Sequence, residues 1–156
     1  MIAVIQRVTQ ASIAVNKKVI SGIDKGLLIL LGVMLDDDET DCHFLQDKIA
    51  HFRIFNDDNE KMNLSIKDVN GEALVVSQFT LCGDWQKGRR PSFINAASPE
   101  RGEKFYNLFV EYMESENIPT KTGRFGAMMA VSLINDGPVT FVLDSKIKKA
   151  KQQSKF

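Results

Sequence analysis

Val75-Val76-Ser77-Gln78-Phe79-Thr80-Leu81 is the stretch around which the rest of the chain is organised. Its β-branched and apolar residues predict a buried strand, and within it the side chains change from apolar on both faces to polar. A second polar stretch, Asn135-Asp136-Gly137-Pro138-Val139-Thr140, follows much later in the chain. We expect the second stretch to complete the chemistry of the first.

The length and composition indicate a single domain. The chain has 156 residues, 44% of them hydrophobic, which is enough to bury one core. We expect this domain over residues 1–147 and a lysine-rich, flexible tail over residues 148–156. Five of the 20 basic residues follow Asp144, so the rest of the chain carries 15 basic and 20 acidic residues. An RNA partner would therefore be met by local patches or by the tail, for which a plain solvated terminus is the alternative.

Cysteine usage and hydropathy predict a soluble, cytoplasmic protein. Cys42 and Cys82 have no C-x-x-C spacing and no evident pairing, which is typical of a reducing compartment. The longest apolar run, Leu27 to Leu35, has about nine residues where a membrane span needs about twenty. The first residues do not resemble a signal peptide. We expect no membrane association.

Hydrophobic periodicity predicts a mixed α/β fold. Alternating segments predict a meander of strands over residues 1–8, 11–15 and 19–23, and further strands over residues 73–81, 125–134 and 139–143. The run Gly26 to Val33 is apolar throughout and fits a strand covered on both faces. One helix should follow the acidic residues 36–39 and end near Phe52, and another should begin at Ser98-Pro99-Glu100 and end near Asn117. We expect two packed β-sheets with two helices on one outer face.

Familiar catalytic motifs are missing from the sequence. Ser77 lies in no G-x-S-x-G pattern, and there is no glycine-rich phosphate loop and no H-E-x-x-H. His43 and His51 have no further ligands at metal spacing, so we expect no metal and no cofactor. What remains is a set of hydroxyls and an amide at the end of a buried strand: Ser77, Gln78 and Thr80.

Two other segments have both a functional and a purely structural interpretation. The Gly137-Pro138 bond lies in a tight turn, where X-Pro is sometimes cis, and its carbonyls could then form a rigid pair of acceptors. The alternative is an ordinary hairpin turn. The loop Cys82 to Phe93 contains two glycines, three cations and two aromatic residues, and long loops in compact domains are often functional. The alternative is a solvated connection anchored to the core by Trp85 and Phe93.

Both polar stretches resemble the signature motifs of the D-aminoacyl-tRNA deacylases, also called D-tyrosyl-tRNA deacylases. Either motif alone is a weak match, but the two in order and at this separation form a strong one. The similarity covers almost the whole chain apart from the lysine-rich end. Further segments that resemble the family are Val4-Ile5-Gln6-Arg7-Val8, Gly26-Leu27-Leu28, Lys61-Met62-Asn63-Leu64-Ser65, Gly88-Arg89-Arg90-Pro91-Ser92-Phe93 and Gly123-Arg124-Phe125-Gly126-Ala127-Met128-Met129.

The resemblance implies a DTD-like fold and a metal-free esterase that acts on aminoacyl-tRNA as a homodimer. A cis Gly137-Pro138 turn of one subunit would enter the other's active site, where its carbonyls hold the substrate's α-amino group. An L side chain would then strike the pocket wall, whereas a D side chain or glycine would fit. Glycyl-tRNA mischarged on alanine tRNA is therefore a second expected substrate.

Within such a site the residues have distinct expected roles. Ser77 and the backbone N–H groups near Phe79 and Thr80 are candidate donors to the developing oxyanion. Thr80 is a poor nucleophile without an adjacent base, so we expect the 2′-hydroxyl of the terminal adenosine to assist attack by water instead. Arg7 is a candidate clamp on the Gly-Pro carbonyls or else a surface cation. Lys87, Arg89, Arg90 and Arg124 are candidate contacts to acceptor-stem phosphates or ordinary surface charges.

Two rival functions stay open at the level of the sequence. One is a relative with a trans Gly-Pro bond that corrects an L-amino acid on the wrong tRNA, although the Ser-Gln-Phe-Thr form of the first motif argues against it. The other is a noncatalytic, nucleic-acid-binding dimer on the same fold.

Overall fold

The computed structural model describes residues 1–147 and confirms the mixed α/β class. The strands are β1 (Ile2–Val15), β2 (Lys18–Ile23), β3 (Gly26–Gly32), β4 (Phe55–Asn56), β5 (Met62–Leu64), β6 (Glu72–Ser77), β7 (Thr120–Thr122) and β8 (Ala130–Asp144). The helices are α1 (Glu39–Ala50), α2 (Pro99–Ser115) and a 3₁₀ helix over Phe79–Cys82. The predicted tail, residues 148–156, lies outside the described residues.

Strand β1 is the centre of the large sheet because it has three antiparallel partners. Ile2–Val8 pairs with β3, Ala11–Val15 pairs with β2, and β8 follows nearly the whole of the other edge. The prediction of separate strands over residues 1–8 and 11–15 is wrong, since β8 continues past the polar residues between them. Strand β6 extends the sheet parallel to β3, and β7 extends it parallel to β6. Strands β4 and β5 form a separate two-stranded sheet.

Apolar side chains form two layers on the large sheet, and β3 contributes to both, as its uninterrupted apolar run predicted. Leu27, Ile29 and Leu31 lie in the layer that also contains the inner faces of α1 and α2. Leu28 lies in the second layer, with residues of β1, β2 and β6. The six strands form one hydrogen-bonded sheet, and the second sheet of the fold is the two-stranded pair β4 and β5.

Helix α1 begins at Glu39, within the acidic run 36–39, and α2 begins at Pro99, as predicted. The Asp38 carboxylate accepts a hydrogen bond from the Asp41 N–H, and the Asp41 carboxylate accepts one from the Asp38 N–H, which completes a capping box before α1. Ser98 caps α2, with Pro99 in its first turn. Helix α1 ends at Ala50 rather than near Phe52.

The acidic run before α1 also contains a fully buried carboxylate, that of Asp37, whose burial the sequence did not reveal. The Asp37 carboxylate accepts hydrogen bonds from the Met1 ammonium at 2.5 Å and from the Met34 N–H at 2.6 Å. The Lys146 ammonium lies 3.3 Å from the same carboxylate. A buried carboxylate is tolerated only when it is paired, and here its partners are Met1 and Lys146. The contacts therefore join the two ends of the domain.

Candidate active site

The first signature stretch changes from strand to 3₁₀ helix halfway along its length. Strand β6 ends at Ser77, not at Leu81 as predicted, and the Gln78 N–H makes one further ladder bond to the Leu31 carbonyl at 2.8 Å. The chain then tightens into the 3₁₀ helix Phe79–Cys82. This change of conformation directs the polar residues out of the sheet, so that Ser77 and Gln78 are half-buried and Phe79 and Thr80 are exposed.

A mostly apolar cleft of about 620 Å³ opens beside this turn. One wall is formed by residues 76–80, a second by residues 97–99 at the start of α2, and a third by residues 125–129 and Val131. Residues 125–129 were predicted to be strand, but β8 begins only at Ala130. The glycines at positions 123 and 126 were the available sequence signal for an irregular segment here. Gly126 has a φ of 75°, a conformation that favours glycine.

Hydrogen-bond donors in this cleft come from the backbone and from neutral side chains. The first N–H groups of a 3₁₀ helix have no acceptor within the helix, and here they belong to Phe79 and Thr80. The Gln78 amide donates to the Thr80 hydroxyl. No Asp, Glu, His, Lys or Arg is among the described residues that line the cleft. It can therefore offer hydrogen bonds to an oxyanion, but its own walls supply no general base.

The second signature stretch is a bulge in the ladder between β1 and β8. Asn135 pairs with Val8 and Thr140 pairs with Gln6, so residues 136–139 lie opposite the single residue Arg7. The Asn135 side chain closes the bulge by accepting a hydrogen bond from the Val139 N–H at 2.7 Å and donating to the Thr140 hydroxyl at 2.9 Å. The Gly137–Pro138 bond is cis, and both residues are exposed.

Arg7 holds the bulge from beneath. It is 6% exposed, which excludes the interpretation as a surface cation. Its Nε donates to the Asp136 carbonyl at 2.9 Å and lies 3.3 Å from the Asp136 carboxylate. Its Nη1 donates to the Ile54 carbonyl at 2.8 Å and to the Asn56 side chain at 3.1 Å. The carbonyl that Arg7 bonds is that of Asp136, one residue before the expected Gly-Pro pair.

The structure therefore places the predicted site residues in two groups. Ser77, Gln78, Phe79 and Thr80 line the cleft, whereas Arg7, Gly137 and Pro138 form the anchored bulge. None of residues 135–140 lines the cleft of its own chain. The supporting role of Asn135 was missed, although an asparagine that opens a turn is a recognisable signal.

Of the two aromatic residues in the loop from Cys82 to Phe93, one is packed and the other is exposed. Phe93 packs edge-on against Phe79 with ring centroids 5.0 Å apart, as expected for an anchor. Trp85 is 79% exposed, so the alternative in which it anchors the loop to the core is wrong.

Residues 1–147 contain no group of His, Cys, Asp and Glu side chains arranged to hold a metal ion. Both histidines are exposed on or beside α1. Among the same residues, no helix has the length and apolar character needed to cross a membrane.

Comparison with known proteins gives consistent results. Residues 4–144 match the model of the D-Tyr-tRNA(Tyr) deacylase family. A curated D-aminoacyl-tRNA deacylase from Persephonella marina is 58% identical over 146 residues, covering 94% of this chain and 99% of the relative. One from Desulfatibacillum aliphaticivorans is 56% identical and is covered completely. A solved structure described as c-Myc DNA Unwinding Element Binding Protein is 41% identical, with a TM-score of 0.87 over 92% of this chain and 98% of that one.

Proposed function

The chain belongs to the D-Tyr-tRNA(Tyr) deacylase family, and from this premise we propose that it is a cytosolic enzyme that hydrolyses the ester between a D-amino acid and tRNA. The products are the free D-amino acid and the tRNA. The observation that carries the proposal is the cleft whose wall is the 77–80 motif, in a chain that matches the family from residue 4 to residue 144.

Hydrolysis in this cleft is assisted by the substrate. The ester carbonyl accepts hydrogen bonds from the N–H groups of Phe79 and Thr80 and from the Ser77 hydroxyl, which stabilise the oxyanion as it develops. A threonine nucleophile needs a base, and the described walls contain none. The 2′-hydroxyl of the terminal adenosine, adjacent to the ester, instead directs a water molecule onto the carbonyl.

Stereochemical selection comes from the bulge of a second subunit. Gly137 and Pro138 are exposed and lie outside the cleft of their own chain, while Arg7 and Asn135 hold the backbone around them. Inserted into a partner's cleft, their carbonyls accept hydrogen bonds from the substrate's α-ammonium. Once the ammonium and the ester are both fixed, an L side chain meets the pocket wall and a D side chain meets open space.

Glycine has no side chain to reject, so glycyl-tRNA mischarged on alanine tRNA is a second substrate. The working unit is a homodimer with two composite sites, each with a cleft from one subunit and a bulge from the other.

The direct test is release of amino acid from D-tyrosyl-tRNA, L-tyrosyl-tRNA and glycyl-tRNA carrying the alanine tRNA body. Release from the first and third, but not from the second, is expected. A D-tyrosyl-tRNA that ends in 2′-deoxyadenosine should be inert. Hydrolysis of the deoxy substrate at an undiminished rate would overturn the substrate-assisted mechanism but not the activity.

The composite site is tested by mixing subunits. A variant with a defective bulge and a variant with a defective cleft should each be inactive alone. Their heterodimer contains one intact site and should recover activity. A monomeric mass in solution, or no recovery on mixing, would overturn the exchange of bulges between subunits.

A noncatalytic nucleic-acid-binding dimer is the second candidate function. The observation in its favour is the 41% identical structure described as binding a DNA unwinding element. No release from any aminoacyl-tRNA, together with retained binding of nucleic acid, would support it.

A further inference from the structure

The hairpin loop formed by residues 84–92, which follows the cleft wall, has a defined shape although it is exposed. Its base is closed by two backbone bonds, from the Asp84 N–H to the Ser92 carbonyl at 2.8 Å and back at 2.9 Å. The Asp84 carboxylate accepts a hydrogen bond from the Gln86 N–H at 2.9 Å. Gly88 supplies the left-handed turn, with a φ of 72°. The loop therefore presents its side chains in a reproducible arrangement.

The base of this hairpin is packed against the cleft. Phe93, directly after the hairpin, contacts Phe79 on the cleft wall. A Cβ atom added at Gly83 would lie 2.9 Å from the Phe93 ring, so the glycine allows the ring to approach the end of the 3₁₀ helix. The base of the hairpin therefore adjoins the cleft on its Phe79 side.

The outer surface of the hairpin combines an unused aromatic ring with unpaired cations. Trp85 is 79% exposed, an unfavourable position for the largest apolar side chain of a protein that binds nothing there. Lys87, Arg89 and Arg90 are exposed, and none forms an ion pair with a carboxylate in residues 1–147. Exposed aromatic rings beside a cationic surface are the features with which proteins bind single-stranded nucleic acid.

Resting on the proposed function, we propose that the 84–92 hairpin binds the single-stranded nucleotides immediately preceding the aminoacylated adenosine. Trp85 stacks on a base, and Lys87, Arg89 and Arg90 contact the phosphates on either side of it. A duplex acceptor stem could offer phosphates to the cations, but it could not offer a free base to the indole, because its base faces are already stacked. The hairpin thereby selects a substrate with an unpaired 3′ end.

The intrinsic fluorescence of the protein reports on binding at Trp85, because it is the one tryptophan of the chain. We expect its fluorescence to be quenched by a single-stranded tetraribonucleotide that ends in CCA. A blunt RNA hairpin, added at the same total concentration of phosphate, should quench it much less. Equal quenching by the two RNAs, or none by either, would overturn the assignment.

Kinetics give an independent test that separates the hairpin from the active site. The two substrates are D-tyrosyl-tRNA and the D-tyrosyl ester of adenosine, which lacks the preceding nucleotides. Loss of one stacked base weakens binding by about 5- to 150-fold, so Trp85→Ala should lower kcat/KM for the tRNA by that factor more than for the adenosine ester, mainly through KM. Trp85→Phe should recover much of the loss.

Removing the cations should change the salt dependence. For Lys87→Ala, Arg89→Ala and Arg90→Ala, the slope of log kcat/KM against log salt should fall by about 0.7 for each phosphate that is no longer neutralised. Lys25→Ala is the matched control, since Lys25 is an exposed cation at the opposite end of β3 from the cleft, and it should leave the slope unchanged.

The failures can be told apart. If wild-type protein releases nothing from either substrate, the proposed function is wrong. If it hydrolyses both and Trp85→Ala slows both equally, or if the variant loses its oligomeric mass, the hairpin has a structural role and this inference is overturned.

Discussion

The bulge at residues 136–139 and the 3₁₀ segment at residues 79–82 both reach the surface, but they are held in place by different means. The bulge depends on side chains from elsewhere: the Arg7 guanidinium bonds its backbone from beneath, and Asn135 closes it. The 3₁₀ segment is held mainly by its own backbone and by the sheet, through bonds such as Gln78 N–H to the Leu31 carbonyl.

In the proposed mechanism, this difference separates the residues that select the substrate from those that take part in the chemistry. A substitution in the support of the bulge should cost stability and, in the proposed mechanism, substrate selection as well. A substitution among the exposed side chains of the cleft should leave the fold unchanged.

Arg7→Ala is the strongest test of the comparison. It leaves the carbonyls of Ile54 and Asp136 without their donor, and we expect a loss of about 3 kcal/mol in the free energy of unfolding, measured by urea titration. The ratio of activity on D- and L-tyrosyl-tRNA should fall as well. Arg53→Ala is the matched control, since Arg53 also bonds a backbone carbonyl but is exposed, and it should cost less than about 1 kcal/mol. Equal losses would remove the distinction.

Gly137→Ala should have the next largest effect. Gly137 has a φ of 142°, and an added Cβ would lie 2.6 Å from Val139 Cγ2 and 3.0 Å from the Val139 nitrogen. We expect a loss of about 1–3 kcal/mol in urea titrations and a lower D-to-L ratio. Gly102→Ala in α2 is the control: the new methyl would be 3.5 Å from Phe125, an ordinary contact, so stability should be unchanged or slightly increased. A Gly137→Ala protein with wild-type stability and selection would show that the bulge is not rigid.

Thr80→Ala should have a small effect on the same measurements. Thr80 is exposed and its hydroxyl accepts one hydrogen bond from Gln78, so the free energy of unfolding should change by less than about 0.5 kcal/mol. In the substrate-assisted mechanism, kcat/KM for D-tyrosyl-tRNA should stay within about tenfold of wild type. A loss of about 10⁴-fold or more would identify Thr80 as the nucleophile.

Alkylation of cysteine should show no effect at all in the native protein. Cys82 ends the 3₁₀ segment with its Sγ 3.3 Å from the Val33 carbonyl, and burial raises the pKa of its thiol to about 11. At pH 8 only about one thiol in a thousand is then ionised, so iodoacetamide should leave it unmodified until urea unfolds the chain. Burial raises the pKa of Cys42 in the helical layer to about 12, so this thiol serves as an internal reference. Selective labelling of Cys82 in native protein would mean that the segment opens.

Local patterns were sufficient for much of the fold. Ser98-Pro99-Glu100 predicted the start of α2, and the apolar run from Gly26 predicted a strand with two buried faces. Errors came where a distant partner decides the structure. Strand β1 runs from Ile2 to Val15 without a break because β8 pairs along it, and the stretch after Ser77 leaves the sheet although its residues favour a strand.

The sequence by itself determined the two polar motifs, the class of fold and the residue types available for chemistry, because these depend on side-chain identity and short-range periodicity. Only the tertiary structure decided that Arg7 is a buried support rather than a surface charge, that Trp85 is exposed rather than an anchor, and that the two motifs lie apart within one chain. The physical reason is that burial and hydrogen-bond partners depend on which distant segments pack together. Local residue spacing does not determine which segments these are.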